Sequence, residues 1–544
     1  MVTAIFSRTN STSAVNFFDG LKPLRPIFID RNKLLFNLFM GLMLCLVLVW
    51  LRSYPLIGEA EDAGMDLIMK ISKEKIPAST KDKDKIPSFV FLDIDNETIK
   101  LWEKEKEKTL LLTPRDRLKN LIKTAVDANA KLVVVDINLT LTTPVEKGQP
   151  LSDDHDCQKL KLHQDDCDLY KYLRDDYPKK CKEDNSRCSP VILTRSLENA
   201  SEVESSFWQK ITHKMPIPTK EFTSSSFLDQ VVENQKFYMQ WTSITFPSSS
   251  DQIIRQWQLW NPVCVGKRVE FVHSVQLLVA SVVYQGNLQK AQDQLSPEMA
   301  RFNQTIDCGE SNYIPPQEQE QIKIAENVAV SAGSGGISQR IVYNMLWLTE
   351  KDRRSKAIEG NRYCLPVDHS LGNFPKYCLT DTNDNEILKV FSALDFAKVP
   401  LEINTEILAD KIVVVGGSWT SGNVSDMHLT PIGEMPGALI VVNAIHSLLR
   451  YPEIGTFLWY IEIIGLLLFT LSIIIVFTKT HDSHLTASIL GFFIIPIVVF
   501  ISWSCFWYLN IWLSFVTPLL IIYYGHIMVE GNNPASKNAS HQVS

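Results

Sequence analysis

Carboxylates end two short apolar runs of this chain, and they are its clearest candidates for chemistry. Ser88–Asp95 (SFVFLDID) ends in Asp93 and Asp95, and Ala130–Ile137 (AKLVVVDI) carries Asp136 near its end. Such runs are typical of buried strands, and open parallel sheets bind ligands beyond the carboxyl ends of their strands. Three carboxylates there could bind a divalent cation or a cationic ligand. The structural alternative is that Asp93 and Asp136 accept backbone N–H bonds and fix the starts of loops.

A third apolar run leads into a loop rich in Gly, Ser, Thr and Pro. Asp410–Gly417 (DKIVVVGG) predicts another buried strand, and Gly416 and Gly417 at its end either approach a nucleotide or let the chain turn sharply. The dinucleotide and P-loop glycine patterns are both missing here, which favours the turn.

The loop after this strand places an imidazole close to a carboxylate and a hydroxyl. Asp426, His428 and Thr430 invite a nucleophile or a metal site, but the H-x-x-x-H and G-x-S-x-G spacings of such sites are missing. These absences favour a hydrogen-bonded loop in which Asp426 and Thr430 satisfy backbone groups. We predict no catalytic residue, no metal site and no cofactor. The candidate ligand-binding residues are Asp93, Asp95, Asp136, Gly416, Gly417, Asp426, His428 and Thr430.

The string TPIGEMPG follows within the same loop. Prolines limit φ and glycines permit turns, so Pro431, Gly433, Pro436 and Gly437 predict a stiff coupling elbow. The elbow would join the rim of the candidate site to a helix over Ala438–Arg450.

Two arginines in strand-like runs are a separate candidate pair. Arg255 and Arg340 could bind an anionic ligand through bidentate hydrogen bonds. Ion pairing within the protein explains them equally well.

Apolar spacing predicts the elements that must position these residues. Pro114–Asn129 has helical spacing with Thr113 as its cap, and it joins the first two strands into a βαβ unit with parallel strands. Glu386–Lys398 is predicted to be helical, and Leu141–Ser189 to be a surface insertion. We predict one α/β domain with a mainly parallel sheet and flanking helices. Its weaker elements are strands at Pro190–Arg195, Lys236–Thr242, Ile253–Leu259 and Gln339–Leu348 and an amphipathic helix at Val269–Tyr284.

Four apolar segments approach the length of a membrane-spanning helix, which needs about 20 residues. They are Leu34–Leu51, Phe457–Phe477, Leu485–Phe506 and Ile511–Met528. Basic residues before the first segment and at Lys479 predict cytoplasmic termini. The leader is too long for a signal peptide and no A-x-A-like site closely follows the first segment, so we expect an uncleaved anchor.

These segments divide the chain and predict a multi-pass protein of the cell (inner or plasma) membrane. The large domain then lies in the periplasm or outside the cell, and the membrane region is all-α with four transmembrane helices. The predicted parts are a cytoplasmic N-terminal segment (1–33), the first span (34–51), the extracytoplasmic domain (52–452) with a cysteine-rich insertion (141–235), three further spans (457–477, 485–506 and 511–528) and a cytoplasmic tail (529–544).

The cysteine distribution supports this placement. The predicted exterior domain holds an even number of cysteines, which is typical of disulfides in an oxidising compartment. Pairs within 157–188 and a Cys364–Cys378 pair are expected. A metal site made of cysteines and His163 is the alternative, but the C-x2-C spacing of zinc sites is missing. The disulfide candidates are Cys157, Cys167, Cys181, Cys188, Cys264, Cys308, Cys364 and Cys378.

The composition argues against one class of partner. The formal net charge is −7 and the sequence pI is about 5.9, so the exterior domain is not expected to bind nucleic acid. The expected partners are the lipid bilayer and a protein in trans, and a homo-oligomer is compatible with the sequence.

Several of these strings follow one another in the order of a known family. The chain resembles the CHASE domain of the second type, a cyclase/histidine-kinase-associated sensory extracellular domain. The resemblance spans roughly residues 60–528 and matches poorly over about 141–235. It rests on Asp66, Val90–Asp95, Pro114–Arg117, Lys131–Ile137, Asp251–Leu259, Arg340–Asn344, Lys411–Gly417, the pattern from Asp426 to Pro431, Met435–Gly437 and Asn443.

The resemblance implies an α/β ectodomain that senses an extracytoplasmic stimulus. Relatives pass the signal to a cytoplasmic kinase or nucleotide cyclase, whereas here only a short tail follows Met528. The expectation is therefore a sensor subunit, not an enzyme, that signals or assembles through a protein partner in trans.

Three other functions compete with this one. A structural or assembly component of an envelope complex would use the cysteine-rich insertion for docking. An extracytoplasmic enzyme would use the strand-end acids and His428, but no nucleophile–base pair is recognisable by spacing. A transporter is disfavoured because the spans contain few polar residues.

Overall fold

The computed structural model divides the chain into two compact units, Met65–Gly455 and, separately, Met1–Gly64 with Thr456–Ser544. Within the described residues, no helix combines the length and the apolar composition that a membrane crossing needs. The four predicted spans lie largely outside these residues. The structure describes residues 39, 43, 55–72, 86–107, 109–110, 112–145, 154–183, 188–195, 197–199, 220–222, 226–247, 251–265, 268–301, 320–331, 338–349, 352, 375–381, 383–396, 401–421, 424–451, 455–456, 468–469, 471–472, 496–506 and 511–512.

Strands and helices of the described residues are numbered in chain order. The strands are β1 (Phe89–Ile94), β2 (Leu132–Val135), β3 (Val191–Arg195), β4 (Leu197–Asn199), β5 (Lys220–Phe222), β6 (Met239–Ser243), β7 (Gln256–Gln258), β8 (Trp260–Val265), β9 (Arg268–His273), β10 (Gln321–Ala325), β11 (Val328–Ser331), β12 (Ser338–Arg340), β13 (Tyr377–Thr380), β14 (Glu386–Ser392), β15 (Ile412–Gly417), β16 (Thr420–Ser421), β17 (Val424–Ser425), β18 (Met427–Thr430), β19 (Gly433–Pro436), β20 (Gly455–Thr456) and β21 (Ile511–Trp512). The helices are α1 (Pro55–Ser72), α2 (Asn96–Lys106), α3 (Arg115–Asp127), α4 (His155–Lys159), α5 (Gln164–Lys171), α6 (Tyr177–Glu183), α7 (Asp229–Asn234), α8 (Val275–Gln285), α9 (Leu288–Ala300), α10 (Ala393–Phe396), α11 (Leu401–Leu408) and α12 (Gly437–Arg450), with a π-helical turn at Tyr172–Asp176.

A seven-stranded sheet forms the centre of the larger unit. Its order is β13-β14-β1-β15-β2-β3-β6, and every neighbouring pair is parallel except β13 with β14. The three apolar runs become β1, β2 and β15, which confirms a mainly parallel α/β fold. The last of these strands is inserted between the first two. Strands that are remote in sequence therefore meet in the middle of the sheet.

Helices cover both faces of this sheet. On one face, α3 packs on β2 and β15, and its Leu118 and Ile122 join Val133 and Val413 in a fully buried cluster. On the other face, α12 packs on β15 and β1, and α8 packs beside it. Burial of each such aliphatic side chain stabilises the fold by about 1.5–3 kcal/mol. The continuous apolar strands are those of a sheet buried on both faces.

The cysteine-rich segment between β2 and β3 lies in the core and not on the surface as predicted. Its helices α4 to α6 bury Leu169 and Tyr177, and the Tyr177 hydroxyl donates to the carbonyls of Ser189 and Tyr238 at 2.8 and 2.9 Å. Part of the 141–235 range is the sheet strand β3 itself. The segment is thus the crossover that a parallel β2–β3 pair requires.

Two local disulfides staple this crossover, as expected. They join Cys157 to Cys167 and Cys181 to Cys188, which rules out the alternative zinc site. Cys378 is also disulfide-bonded. Its expected partner Cys364, together with Cys308 and the side chain of Cys264, lies outside what the structure describes. The two stapled pairs fit an oxidising compartment.

Two local predictions are wrong. Glu386–Lys398 is not one helix: it forms the strand β14 and the short helix α10. Thr113 does not cap α3, because Pro114 occupies the N-cap position and no side-chain hydrogen bond is made there.

Two further segments differ from their predicted form. Val269–Tyr284 divides between the strand β9 and the helix α8, which Ser274 caps through a 3.3 Å bond from the Leu277 N–H. The predicted loop after β15 forms two small hairpins, β16–β17 and β18–β19.

Candidate functional site

A row of polar residues crosses the carboxyl end of the sheet on the face that carries α12. Asp93 of β1 pairs in register with Ser392 of β14 and with Gly416 of β15. On the other side of β15, the N–H of Asp136 donates to the Val415 carbonyl at 2.8 Å, and the Thr194 hydroxyl of β3 donates to the Asp136 carboxylate at 3.3 Å. Since paired residues of parallel strands share a face, the two carboxylates flank Gly416.

Gly416 lets the first turn of α12 approach the sheet between these carboxylates. A Cβ added at Gly416 would lie 2.3 Å from the Cβ of Ala438, the second residue of α12. Any side chain at this position would displace the helix. The glycine is therefore required for close packing of the helix and not for the predicted sharp turn, because it lies within β15.

The two acids of β1 and its following turn share a lysine that sequence analysis missed. Lys376, just before β13, pairs with Asp93 at 2.7 Å and also with Asp95. The Ser418 hydroxyl donates to Asp93 at 2.8 Å, and Asp95 caps α2 by accepting from the Thr98 N–H at 2.7 Å. The cation predicted for these acids is thus supplied by the protein itself. The structural alternative was stated for Asp93 and Asp136, but the partners given for their carboxylates are side chains. Asp95 is the acid that accepts a backbone N–H.

The two carboxylates of this Asp93 cluster (Asp93, Asp95, Lys376 and Ser418) differ in acidity. Burial raises the pKa of Asp93 despite the ammonium of Lys376. Burial alone would also raise the pKa of Asp95, but Lys376 and the Thr98 hydrogen bond outweigh it and lower that pKa. Asp93 is fully buried, and its Oδ1 has no hydrogen-bond partner among the described residues.

The third predicted acid belongs to a separate group on the other side of Gly416, which we call the His428 cluster (Asp136, Thr194, Asp426 and His428). His428 Nε2 lies 3.2 Å from Asp426 Oδ1. Burial, followed by the negative charge of Asp426, raises the pKa of Asp136 to about 7. The hydrogen bond to Asp426 raises the pKa of His428. Protein surrounds the Asp136 carboxylate, although the residue keeps part of its surface accessible to solvent.

The predicted elbow is the turn and second strand of the β18–β19 hairpin, which leads directly into α12. Thr430 pairs with Gly433 across a turn that contains Pro431, and the Thr430 hydroxyl donates to the Gly433 carbonyl. Gly433 has φ of 131°, which favours glycine. Pro436 is the N-cap of α12.

The hairpin is tied to α12 by the first residue of the helix. The Gly437 N–H donates to the Asp426 carbonyl at 2.9 Å, and a Cβ at Gly437 would lie 2.7 Å from the Asp426 carboxylate. The carboxylate of the His428 cluster therefore lies against the first turn of the helix.

The structure thus divides the predicted site into two clusters on either side of α12. Among the residues that the structure describes, no group of three or more His, Cys, Asp or Glu side chains is arranged to hold a metal ion. Lys376 escaped prediction because the hairpin that positions it, β13–β14, was assigned in part to a helix. No local signal in the sequence marks it.

The two candidate arginines form a buried ion cluster with Asp66, defined here as the Asp66 cluster (Asp66, Asp251, Arg255 and Arg340). Arg255 donates from Nη2 to Asp66 at 2.8 Å and to Asp251 at 2.6 Å. Arg340 donates to the other Asp66 oxygen at 3.1 Å. The side chains of Asp66 and Arg255 are each 7% exposed. Pairing within the protein, and not an anionic ligand, accounts for both arginines.

The segment that follows Arg340 is hydrogen-bonded along α12. The amide of Asn443 accepts from the N–H groups of Asn344 and Met345 at 3.0 and 2.9 Å, and the Ser447 hydroxyl accepts from the Val342 N–H at 2.8 Å. This arrangement explains why Asn443 is fully buried in an otherwise apolar helix.

Another polar residue of α12, His446, should make stability depend on pH. Burial, followed by the charge of Arg450, lowers the pKa of His446 to about 3, whereas an unfolded histidine titrates near pH 6.5. Protonation then favours the unfolded state below pH 6.5, so stability falls on acidification. When the pH falls from 7.5 to 4.5, we expect the free energy of unfolding of a His446→Leu variant to drop by about 3 kcal/mol less than that of the wild type. Urea unfolding at the two pH values measures the difference. The same change at His155, whose side chain is 91% exposed, should leave the pH dependence unaltered.

Comparison with known proteins agrees with the order of elements described above. The family model of the CHASE2 domain matches residues 42–477. No curated protein and no solved structure gives a significant match. The family match covers most of the chain, including the sheet, both carboxylate clusters and the Asp66 cluster. The chain therefore belongs to the CHASE2 domain family.

Proposed function

We propose that this chain is a membrane-anchored extracytoplasmic sensor subunit that passes its signal to a protein partner in trans. Membership of a family of extracellular sensory domains supports a sensor role. The two disulfides suit an oxidising exterior, and the four apolar segments suit a membrane anchor. The proposal assigns the chain no catalytic step, no cofactor and no nucleic-acid partner.

One observation carries the proposal: a single hydrogen-bonded hairpin connects the carboxyl end of the sheet to both terminal helices of the domain. The second strand of the hairpin, β19, continues directly into α12. In the first strand, β18, the Leu429 carbonyl accepts from the Ile254 N–H at 2.9 Å. The next residue, Arg255, holds Asp66 of α1 in the Asp66 cluster.

The same cluster also leads back to α12. The Arg255 carbonyl accepts from the Ile341 N–H at 2.8 Å, and the Tyr343 hydroxyl donates to the Ile254 carbonyl at 2.7 Å. This is the segment held by Asn443 and Ser447. A displacement of the hairpin would therefore act on α1 and α12 together, which is the output a sensory domain between two terminal segments needs. Spatial continuity makes the path physically reasonable, and a coupling measurement must test it.

Affinity capture of the full-length chain from cross-linked host membranes tests this proposal. We expect a kinase, a nucleotide cyclase or another effector among the captured proteins, and we expect its activity to change when Leu429→Pro removes the hairpin's pairing geometry. The control is Leu160→Ser, a substitution at an exposed position of the stapled crossover. Capture of no effector, or an effector whose activity ignores the hairpin variant, would count against the sensor role.

The second candidate, a component of an envelope assembly, is favoured by a polar cavity of about 240 Å³ beside the stapled crossover. Tyr170, Arg174, Gln230 and Asn234 line it. Deleting 141–235 cannot test this idea, because the deletion removes β3 from the sheet. Exposed changes such as Gln230→Glu and Asn234→Asp should instead release partner proteins while the thermal unfolding temperature stays constant. Unchanged capture of all partners would remove its support.

A further inference from the structure

We propose that the His428 cluster is a proton-operated switch. When Asp136 loses its proton, its carboxylate repels that of Asp426 and loosens the β18–β19 hairpin from the sheet and from α12. This inference rests on the proposed function, because it names the proton as a stimulus for the same hairpin.

The geometry places the two carboxylates on parts of the fold that can separate. Asp136 follows β2 in the centre of the sheet, where Thr194 holds it. Asp426 belongs to the hairpin side, and it is joined to the first turn of α12 through Gly437. The Asp426 carboxylate lies against Gly437, and its carbonyl accepts from the Gly437 N–H, so repulsion of Asp426 acts where the hairpin enters the helix.

Among the residues that the structure describes, none supplies the Asp136 carboxylate with a buried counter-ion. The charged groups that act on it are Asp426 and His428. From β3 the facing group is the neutral hydroxyl of Thr194, and the adjacent Arg195 is paired with Asp229 at 3.1 Å. From β15 the residue beside Asp136 is Gly416, which lies against Ala438 of α12, and neither residue carries a charge.

The protonation states give the switch a direction. The pKa of Asp136 is raised to about 7, far above its ordinary value of 3.8, so the carboxyl is neutral in the fold below pH 7 and charged above it. Because the pKa is raised in the closed fold, ionisation of Asp136 favours the open or unfolded state. The resulting loss in free energy of the closed state grows as the pH rises from 3.8 to 7. The pKa of His428 is also raised, so its stabilising charge is present below pH 6.5 and is lost as the pH rises through its folded value. Both groups therefore loosen the hairpin at higher pH.

Bulk solvent reaches the two charged neighbours of Asp136 directly. The side chains of His428 and Asp426 are 43% and 51% exposed, so protons reach the cluster without a channel. The Asp93 cluster on the other side of Gly416 differs, since the ammonium of Lys376, with a side-chain exposure of 17%, pairs with both of its acids. One side of the helix start thus holds a lysine counter-ion, whereas the other holds a histidine.

Hydrogen exchange of the full-length chain at pH 6.0 and 8.0 tests the switch. After correction for intrinsic rates, we expect peptides over 424–441 to exchange faster at pH 8.0. The change is limited to about tenfold if the Asp136 pKa differs by one unit between the two hairpin states. Asp136→Asn should remove the part of this pH dependence that comes from Asp136 and leave the part that His428 contributes. Asp95→Asn is the matched control, because asparagine still caps α2 and the Asp95 pKa is lowered.

The outcomes separate this inference from the proposed function. Peptides over 86–95 in β1 report the global fold, and their protection should not change between the two variants. Equal protection of 424–441 at both pH values, or a pH effect as large in Asp136→Asn as in the wild type, would overturn the switch. If effector capture succeeds while the switch fails, the sensor proposal stands with a different stimulus. If capture fails while the switch operates, the pH response of the hairpin stands and the sensor proposal loses its support.

Discussion

Replacing Asp66 by asparagine is expected to lower the free energy of unfolding of this domain by about 3–5 kcal/mol, because removal of one partner from a buried ion pair leaves uncompensated charge. The substitution keeps the shape of the side chain and removes only its charge. Arg255 and Arg340 both donate to this carboxylate, so two guanidinium groups lose their shared acceptor. Asp251 still pairs with Arg255, but its own side chain is 46% exposed and is a weaker partner. Urea unfolding followed by tryptophan fluorescence measures the loss.

The matched control removes a carboxylate from an exposed arginine. Glu298 pairs with Arg301, whose side chain is 50% exposed, so Glu298→Gln should cost no more than about 1 kcal/mol. A small loss for Asp66→Asn, comparable to that of the control, would show that the Asp66 cluster does not hold α1 on the domain.

The cluster also decides how a signal could leave the domain. Asp66 belongs to α1, and its partners Arg255 and Arg340 adjoin the segments that bind the hairpin and α12. A variant that folds but has lost this cluster should uncouple α1 while α12 still follows the hairpin. The two terminal helices therefore have separable connections to the same site.

The central strands were predictable because their sequences allow little else. Phe89–Ile94, Leu132–Val135 and Ile412–Gly417 are short, almost wholly apolar and rich in branched or aromatic side chains, as is typical of strands buried on both faces. The alternation of strand and helix between the first two also determined their parallel direction. Local pattern was sufficient wherever burial was continuous.

The position of β15 between β1 and β2 was not predictable from local pattern. Gly416 lies between Asp93 and Asp136 only because a strand nearly 300 residues later in the chain is inserted there. The three acids were expected to form one site, and this insertion divides them. Strand order depends on long-range packing, which no local periodicity encodes.

The wrong helix at Glu386–Lys398 illustrates another limit. Its apolar residues Ile387, Leu388 and Phe391 fit helical spacing, yet five of the seven residues in β14 are buried because the strand has sheet neighbours on both sides. A short apolar run is ambiguous between helix and strand when both faces are covered. This error concealed the β13–β14 hairpin and with it Lys376.

Replacing Gly416 by alanine tests whether close approach of α12 to the sheet holds the site together. The new Cβ would lie 2.3 Å from the Ala438 Cβ, a distance that two non-bonded carbon atoms do not tolerate, so α12 or β15 must shift. Overpacking of this kind usually costs about 1–3 kcal/mol and occasionally more. We expect the free energy of unfolding, measured with urea, to fall by about 3 kcal/mol. The loss is large because the two Cβ atoms belong to a strand and a helix and have no flexible side chain beyond them that could move aside.

A compensating substitution makes the test specific. Gly416→Ala combined with Ala438→Gly removes the clash by returning the methyl group to the opposite side of the same contact. The double variant should recover most of the lost stability, less about 1 kcal/mol for glycine within a helix. It should also restore the slow hydrogen exchange of residues 437–441, which the single variant would accelerate. If the double variant is no more stable than Gly416→Ala alone, the loss arises from the backbone of β15 and not from the seating of α12. In that case the helix would tolerate displacement, and the hairpin could move at the carboxyl end of the sheet without carrying α12 with it.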